Sequence, residues 1–397
     1  MQWEQVRSLL LNGQLVSPQN LAELEQRFGE SCNGSPEGDA FLDWLVQVRV
    51  ISDFQAVAMR AGVSGPYQLG PYRITSRVVA GRLGDVFRAE HVEFAQPVSL
   101  KVFPDSVSRD ALLLARIGRE IRVALEVDHP NVIKTYHIGR KGNWSYIALE
   151  ELVGETLEQR LAREVKLPFE TACQLIYQAA VGLAHVHSRD IVHRDICPAN
   201  LWITSREVVK VMEFGAARDA LAFLDSSDGG NLTLSGDPAS VLGNYDYMCA
   251  EQAQDPHAAT CQTDLYSLGC VLYRCLTGVV PFADRNPVRQ MLRHASEVPQ
   301  SLSACGVVAP VALQAIVDRL LAKQPSDRFA TASELATSLA GIVPMPESYE
   351  LDPVNADFAL RVQAGPTLEE SAAEASTDDE EKFESLMDFL TSASERA

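Results

Sequence analysis

The chain lacks any hydrophobic run long enough to cross a bilayer. Nowhere in its 397 residues is there the stretch of roughly 18 or more apolar residues that a spanning helix needs. The N-terminus carries Glu4 and no long apolar core, so no secretory signal is expected. Basic residues are scarce: Lys and Arg number 34 against 53 Asp and Glu, for a net charge of −19. Nucleic acid and anionic membrane surfaces both select clustered cations, so neither is expected as a partner. Cysteine is present but unpatterned. The 8 cysteines, at 32, 173, 197, 249, 261, 270, 275 and 305, contain no Cys-x-x-Cys pair. That argues against a zinc site or a disulfide framework and for small buried hydrophobes in a reducing, cytoplasmic compartment. Apolar residues make up 46% of the chain, ample to bury cores in two or three domains.

Residues 1–62 read as a small helical unit. Val6, Leu9 and Leu10, then Leu21, Leu24 and Phe28, recur at helical spacing. After a polar break from Asn33 to Gly38 the pattern resumes through Phe41, Leu42, Trp44, Leu45 and Val48, then Phe54, Val57, Ala58 and Ala61. No catalytic constellation lies here, and docking or regulation is the expected role. Residues 63–71, with Gly-Pro at 65–66 and 70–71, read as a linker. Beyond it the period changes, and 72–79, 84–90 and 97–103 read as successive strands rich in Val, Ile, Phe and Leu. At the other end, residues 343–397 form an acidic tail. From 346 onward it holds 14 acids against Arg361, Lys382 and Arg396, a composition expected to be largely disordered. Phe383, Leu386, Met387 and Leu390 nevertheless share a helical face, which fits folding on a partner.

Between strand and tail lie the chemistry-bearing stretches. Ile191 to Asn200 packs His193, Arg194, Asp195 and Asn200 behind β-branched residues; the plain alternative is a polar turn whose side chains bond their own backbone. A turn at Val79-Ala80-Gly81-Arg82-Leu83-Gly84-Asp85-Val86 has the glycines that let backbone N–H groups approach phosphate, or is simply a hairpin. Lys101 stands on the strand Val98-Ser99-Leu100-Lys101, where a lone lysine can also snorkel to water. Glu120 lies in a helical stretch over 111–127, and Glu150-Glu151-Leu152 ends a strand over 145–150. Glu213-Phe214-Gly215 follows two short strands, and a Ser-, Asp- and Gly-rich segment spans 216–242. Met248-Cys249-Ala250-Glu251-Gln252, an apolar helix opened by Asp264, and Pro325-Ser326-Asp327-Arg328 complete the series.

Taken in order, these stretches resemble the eukaryotic-like serine/threonine protein kinases of bacteria, over about residues 72–342. The resemblance implies an α+β, two-lobed protein-kinase-like fold, with a small β-rich lobe and a larger helical one. It implies ATP and magnesium as cofactors and Ser/Thr-bearing proteins as substrates or partners. By the same resemblance, Asp195 is the catalytic base, Lys101 pairs with the α- and β-phosphates, and Glu120 clamps that lysine. Asn200 and Glu213 hold magnesium, and the nucleotide lies against Val79, Gly81, Gly84, Val86, Ser99, Lys101, Leu149 and Glu150. Arg328 is the expected partner of Glu251. Arg194 is placed to receive a phosphate on the activation segment, where Ser226, Ser227, Thr233, Ser235 and Ser240 are candidate acceptors.

Several positions depart from the family pattern. Glu213 replaces the metal-binding Asp, adding a methylene at a site where octahedral magnesium tolerates little displacement. Cys197 replaces the lysine that steadies the γ-phosphate, and Pro198, Ala199 and Asn200 supply no substitute cation. Asn244 replaces the threonine that bonds both the Asp and that lysine, Val79 replaces the first loop glycine, and Ala250 replaces a proline. Phosphoryl transfer is almost entirely positioning and charge neutralisation. The expected function is therefore an ATP-binding, kinase-like signalling protein with weak or absent transfer. The alternatives are an active ATP- and magnesium-dependent kinase and a purely structural protein without nucleotide.

Overall fold

The computed structural model describes residues 1–31, 37–63, 65, 67–79, 85–103, 125, 127–141, 144–212, 245–255, 258–345, 358 and 362. The chain divides into two compact units, the first comprising 1–109, 135–151 and 353–397, the second 110–134 and 152–352. The class is α+β, with a β-rich first unit and a mainly helical second one.

In the first unit four helices, α1 (Trp3–Asn12), α2 (Pro18–Ser31), α3 (Gly38–Gln47) and α4 (Asp53–Arg60), precede the sheet. Their apolar stripes (Val6, Leu9 and Leu10; Leu21, Leu24 and Phe28; Phe41, Leu42 and Leu45) are the buried faces that the helical spacing requires. The rings of Trp3, Phe28, Phe41 and Trp44 pack at 4.7–6.1 Å. The polar break over 32–36 lies outside the described residues.

The sheet strands are β1 (Gln68–Leu69), β2 (Tyr72–Val79), β3 (Asp85–His91), β4 (Pro97–Phe103), β5 (Thr135–Lys141) and β6 (Trp144–Glu150). They run in the order β1-β2-β3-β4-β6-β5, every neighbour antiparallel. β1 falls inside the stretch expected to be a linker. Tyr67 and Leu69 are fully buried there, and the Tyr67 hydroxyl donates to the Val63 carbonyl at 2.8 Å. The sheet curls, because Tyr72 on β2 meets His137 on β5 at 6.0 Å although three strands separate them in order.

Alternation assigns two faces to this sheet. Register sets Phe87 against Leu100 and Leu100 against Ala148, and two pairs further on sets Ala89 against Val98. These side chains are buried in one continuous core with the helices α1 to α4. Gln55 joins helix to sheet. It caps α4 reciprocally with Ser52, and its Nε2 donates to the Ile74 carbonyl at 2.6 Å, beside a bulge in β2. A buried acceptor left unpaired costs about 1–3 kcal/mol, which is what this one amide avoids. The N-terminal helices thus cover the sheet face turned away from Lys101.

The second unit holds a three-stranded sheet, β7 (Gly154–Thr156), β8 (Leu201–Thr204) and β9 (Val209–Val211), in that order. Its helices are α5 (Leu157–Glu164), α6 (Phe169–His187), α7 (Ala250–Gln254), α8 (Cys261–Thr277), α9 (Pro287–Ser296), α10 (Val311–Leu320) and α11 (Ala332–Ala340). α8 is buried from Thr263 to Tyr273, the mark of a helix at the centre of its unit. Gly182 on α6 faces the Asn131 backbone, where a Cβ would come within 2.6 Å of the carbonyl oxygen. That close approach lets the Asn131 amide donate to Gln178 Oε1 and to the Val209 carbonyl, at 3.2 and 2.9 Å.

Candidate active site

The nucleotide-facing candidates of the first unit share one sheet face. β4 puts Lys101 beside Val86 on β3 and Ile147 on β6, and Ser99 beside Leu149. Val86, Ser99, Lys101 and Leu149 therefore line the face opposite the helix-packed core. Lys101 is 5% exposed, so its ammonium is held within the protein and not spread over the surface. Glu150 closes β6 opposite Val98, one residue before the chain leaves the unit. Val79 ends β2, paired with Val86. Gly81, Gly84 and Glu120, with the helical stretch over 111–127 that carries Glu120, lie outside the described residues save Leu125 and Val127.

In the second unit, α6 delivers the chain into the stretch from Ile191 to Asn200. His187, Asp190 and Arg194 mark how sharply it then turns. Asp190 and Arg194 both have positive φ, +59° and +69°, which non-glycine residues adopt only when their surroundings hold them there. The holding group is Asp264, fully buried on α8. Its Oδ2 accepts the His193 N–H at 2.8 Å and its Oδ1 the Arg194 N–H at 2.7 Å, while His187 Nε2 lies 2.8 Å from Oδ2. Gln252 on α7 adds a bond to the Arg194 carbonyl at 2.7 Å. A carboxylate is needed at 264 because only it offers two acceptor atoms to two successive backbone donors.

His193 is a strut. Its Nε2 donates to the Met212 carbonyl at 2.6 Å and its Nδ1 accepts the Asp195 N–H at 3.3 Å, so both ring nitrogens are used structurally. Asp195 meets Asn200 directly: the Asn200 Nδ2 donates to the Asp195 carbonyl at 2.8 Å and to its Oδ2 at 3.1 Å. The amide nitrogen of Asn200 is thereby spent on Asp195, and its Oδ1 is the atom left to face a cation. Between them, Ile196 and Cys197 turn into the core of the unit, Cys197 at 5% exposure. Glu213, Phe214, Gly215, Asn244 and the segment over 216–242, with its serines and threonine, lie outside the described residues.

The expected pair between Glu251 and Arg328 is present, with two hydrogen bonds at 2.5 and 3.3 Å. Arg328 also donates to the carbonyls of Ala322, Gln262 and Lys323 and lies over the Tyr266 ring at 4.6 Å. Burial pushes the Glu251 carboxyl up, but hydrogen bonds and charge from Arg328 outweigh it, and the net pKa falls below the ordinary 4.5. A depressed carboxylate stabilises the fold above its unfolded pKa and loses that contribution as pH falls through the folded one. Wild type should therefore be more stable than Glu251→Gln at pH 7, and the margin should narrow as pH drops below 4.5. Urea midpoints at several pH values test this; a margin constant from neutrality to strong acid would refute it.

Sequence reasoning missed Asp264 as the anchor of the loop, reading it only as the start of a helix. The signal was there as an acid inside an otherwise apolar helix, since a carboxylate in such a place must be paired. Residues 72–339 match the protein kinase domain. The chain belongs to the protein kinase family. Among its relatives, the serine/threonine-protein kinase PknB of Mycobacterium leprae is 32% identical over 278 residues, 69% of this chain and 43% of that protein. PknB of Mycobacterium tuberculosis is 34% identical over 266 residues, 66% of this chain and 41% of that one. This kinase-family chain thus spans about two fifths of the length of the curated relatives it matches. The crystal structure of the Mycobacterium tuberculosis PknI kinase domain shares the fold, with a TM-score of 0.54 at 22% identity over 69% of this chain and 97% of that one. No helix among the described residues is long and apolar enough to cross a membrane.

Proposed function

We propose that this chain binds ATP with magnesium and transfers phosphate weakly or not at all, signalling through its nucleotide-bound shape. The observation that carries this reading is Cys197. The position that would carry a γ-phosphate cation in an active kinase holds a cysteine, buried in the core two residues after Asp195. Supporting nucleotide binding are the buried Lys101 and the common face of Val86, Ser99, Lys101 and Leu149. Magnesium would be held by Asn200 through Oδ1 and by Glu213, a residue one methylene longer than the aspartate of the family pattern, at a site where octahedral magnesium tolerates little displacement. Bound there, the ion neutralises phosphate charge. Asp195 would accept the proton of a Ser or Thr hydroxyl on a protein substrate, and the unreplaced charge is what slows the step.

A working kinase is the second reading, favoured by the retained contact between Asp195 and Asn200. The described cysteines form no disulfide with one another, and a reducing cytoplasm is the compartment we propose. Thermal unfolding with and without ATP tests the binding claim. A ligand at about 100 times its dissociation constant stabilises by about 2.7 kcal/mol, a shift of several degrees. The shift should appear with ATP and magnesium and disappear in Lys101→Ala. No shift at millimolar ATP, with or without metal, would leave only the structural reading.

A further inference from the structure

Phe358 lies beyond the end of the matched kinase domain at 339, yet it is 5% exposed and belongs to the core of the first unit. Its ring stands edge-on to three others: His91 at 5.6 Å and 81°, Phe94 at 5.9 Å and 81°, and Tyr136 at 5.0 Å and 85°. This is the arrangement that aromatic quadrupoles favour. The receiving rings are themselves fixed. His91 stacks on Phe94 at 4.7 Å, stands edge-on to Tyr72 at 5.2 Å, and accepts the Glu93 and Phe94 N–H groups on Nδ1 at 3.3 and 3.4 Å. Four residues after Phe358, Val362 is 6% exposed in the same core, and both positions are helical. Helical positions four apart can share a face, and Phe358 and Val362 are both buried in the core that holds the sheet.

We propose that the curled sheet carries a docking groove walled by His91, Phe94 and Tyr136, and that its occupant is this chain's own C-terminal segment, seated through Phe358 with Val362 beside it. The groove is built from the end of β3, the turn after it and the start of β5, so only the folded sheet assembles it. Its occupant is chosen by connectivity: the chain leaves the second unit at Asp352 and belongs to the first from Pro353 onward. The contact anchors the C-terminal segment on the first unit, on the core that lies across the sheet from Lys101, and tethers the acidic stretch after Val362 there. It does not depend on nucleotide or on phosphate transfer.

Photo-crosslinking in the full-length chain tests this directly. With benzoylphenylalanine in place of Phe358, irradiation should give crosslinks within one chain, to peptides covering 91–97 and 135–141, with a yield independent of protein concentration. Crosslinks that join two chains, that map to the second unit, or that fail to form would each overturn the proposal. As a second measurement, Phe358→Ala and Val362→Ala in the full chain should raise amide exchange in 91–97 by about tenfold or more while leaving α8 unchanged. Unchanged exchange in 91–97 would overturn it as well.

Discussion

Replacing Asp264 by alanine is expected to be among the most damaging single changes in this protein. Its two oxygens hold the N–H groups of His193 and Arg194 at 2.8 and 2.7 Å, and His187 Nε2 closes on the same carboxylate. Each buried donor stripped of its acceptor costs about 1–3 kcal/mol, so two of them together should lower the unfolding free energy by roughly 2–6 kcal/mol. The loss is specific as well as large. Arg194 loses a main restraint on its φ of +69° once its N–H is released, keeping the Gln252 bond to its carbonyl, and relaxation there moves Asp195. Asp264→Asn keeps one acceptor and should fall between. Hydrogen exchange reads the effect at its source: the His193 and Arg194 amides should be protected in the wild type and among the fastest in Asp264→Ala. If those amides stay slow and the urea midpoint barely moves, Asp264 is not the anchor.

That role shows where sequence reading reaches its limit. Strands β2, β3, β4 and β6 were legible because alternating apolar residues have one physical outcome on a sheet with one packed face. The pairing of Glu251 with Arg328 was legible too, because the family resemblance names both partners. Asp264 was not, since its partners are backbone N–H groups 71 and 70 positions away, and backbone donors carry no residue signature. Gln55 and Gln178 are the same case, each satisfying a distant main-chain group. The stretch over 63–71 reads as a linker from its Gly-Pro pairs, but Tyr67 and Leu69 bury themselves against the small sheet and draw in β1. Composition makes the segment after 343 an acidic tail, and nothing in it singles out Phe358 and Val362 as the two that are buried.

The second large effect is a gain. If Cys197 leaves the γ-phosphate without its cation and Glu213 displaces the metal, Cys197→Lys combined with Glu213→Asp should raise phosphate transfer by roughly 10²–10³, the scale on which single charge-stabilising groups act in transition states. Each change alone should give less, because both serve one transition state and such effects do not add. The lysine stem would run along the apolar pocket that now holds the Cys197 thiol, with its ammonium free to extend toward Asp195. Asn244→Thr belongs in the set, since a lysine without its threonine partner can turn away. Asp195→Ala in the repaired protein should remove whatever was gained.

The most direct test of the central claim is phosphate transfer by the unmodified chain under conditions of demonstrated ATP saturation. Thermal shift fixes the ATP and magnesium concentrations at which binding is complete, and single-turnover transfer from radiolabelled ATP to the chain itself and to a generic Ser/Thr substrate is then followed. The account predicts saturable binding with transfer indistinguishable from Asp195→Ala, or at most about tenfold above it. Transfer at the 1–100 per second typical of protein kinases, abolished by Asp195→Ala and no faster in the repaired double mutant, would contradict it.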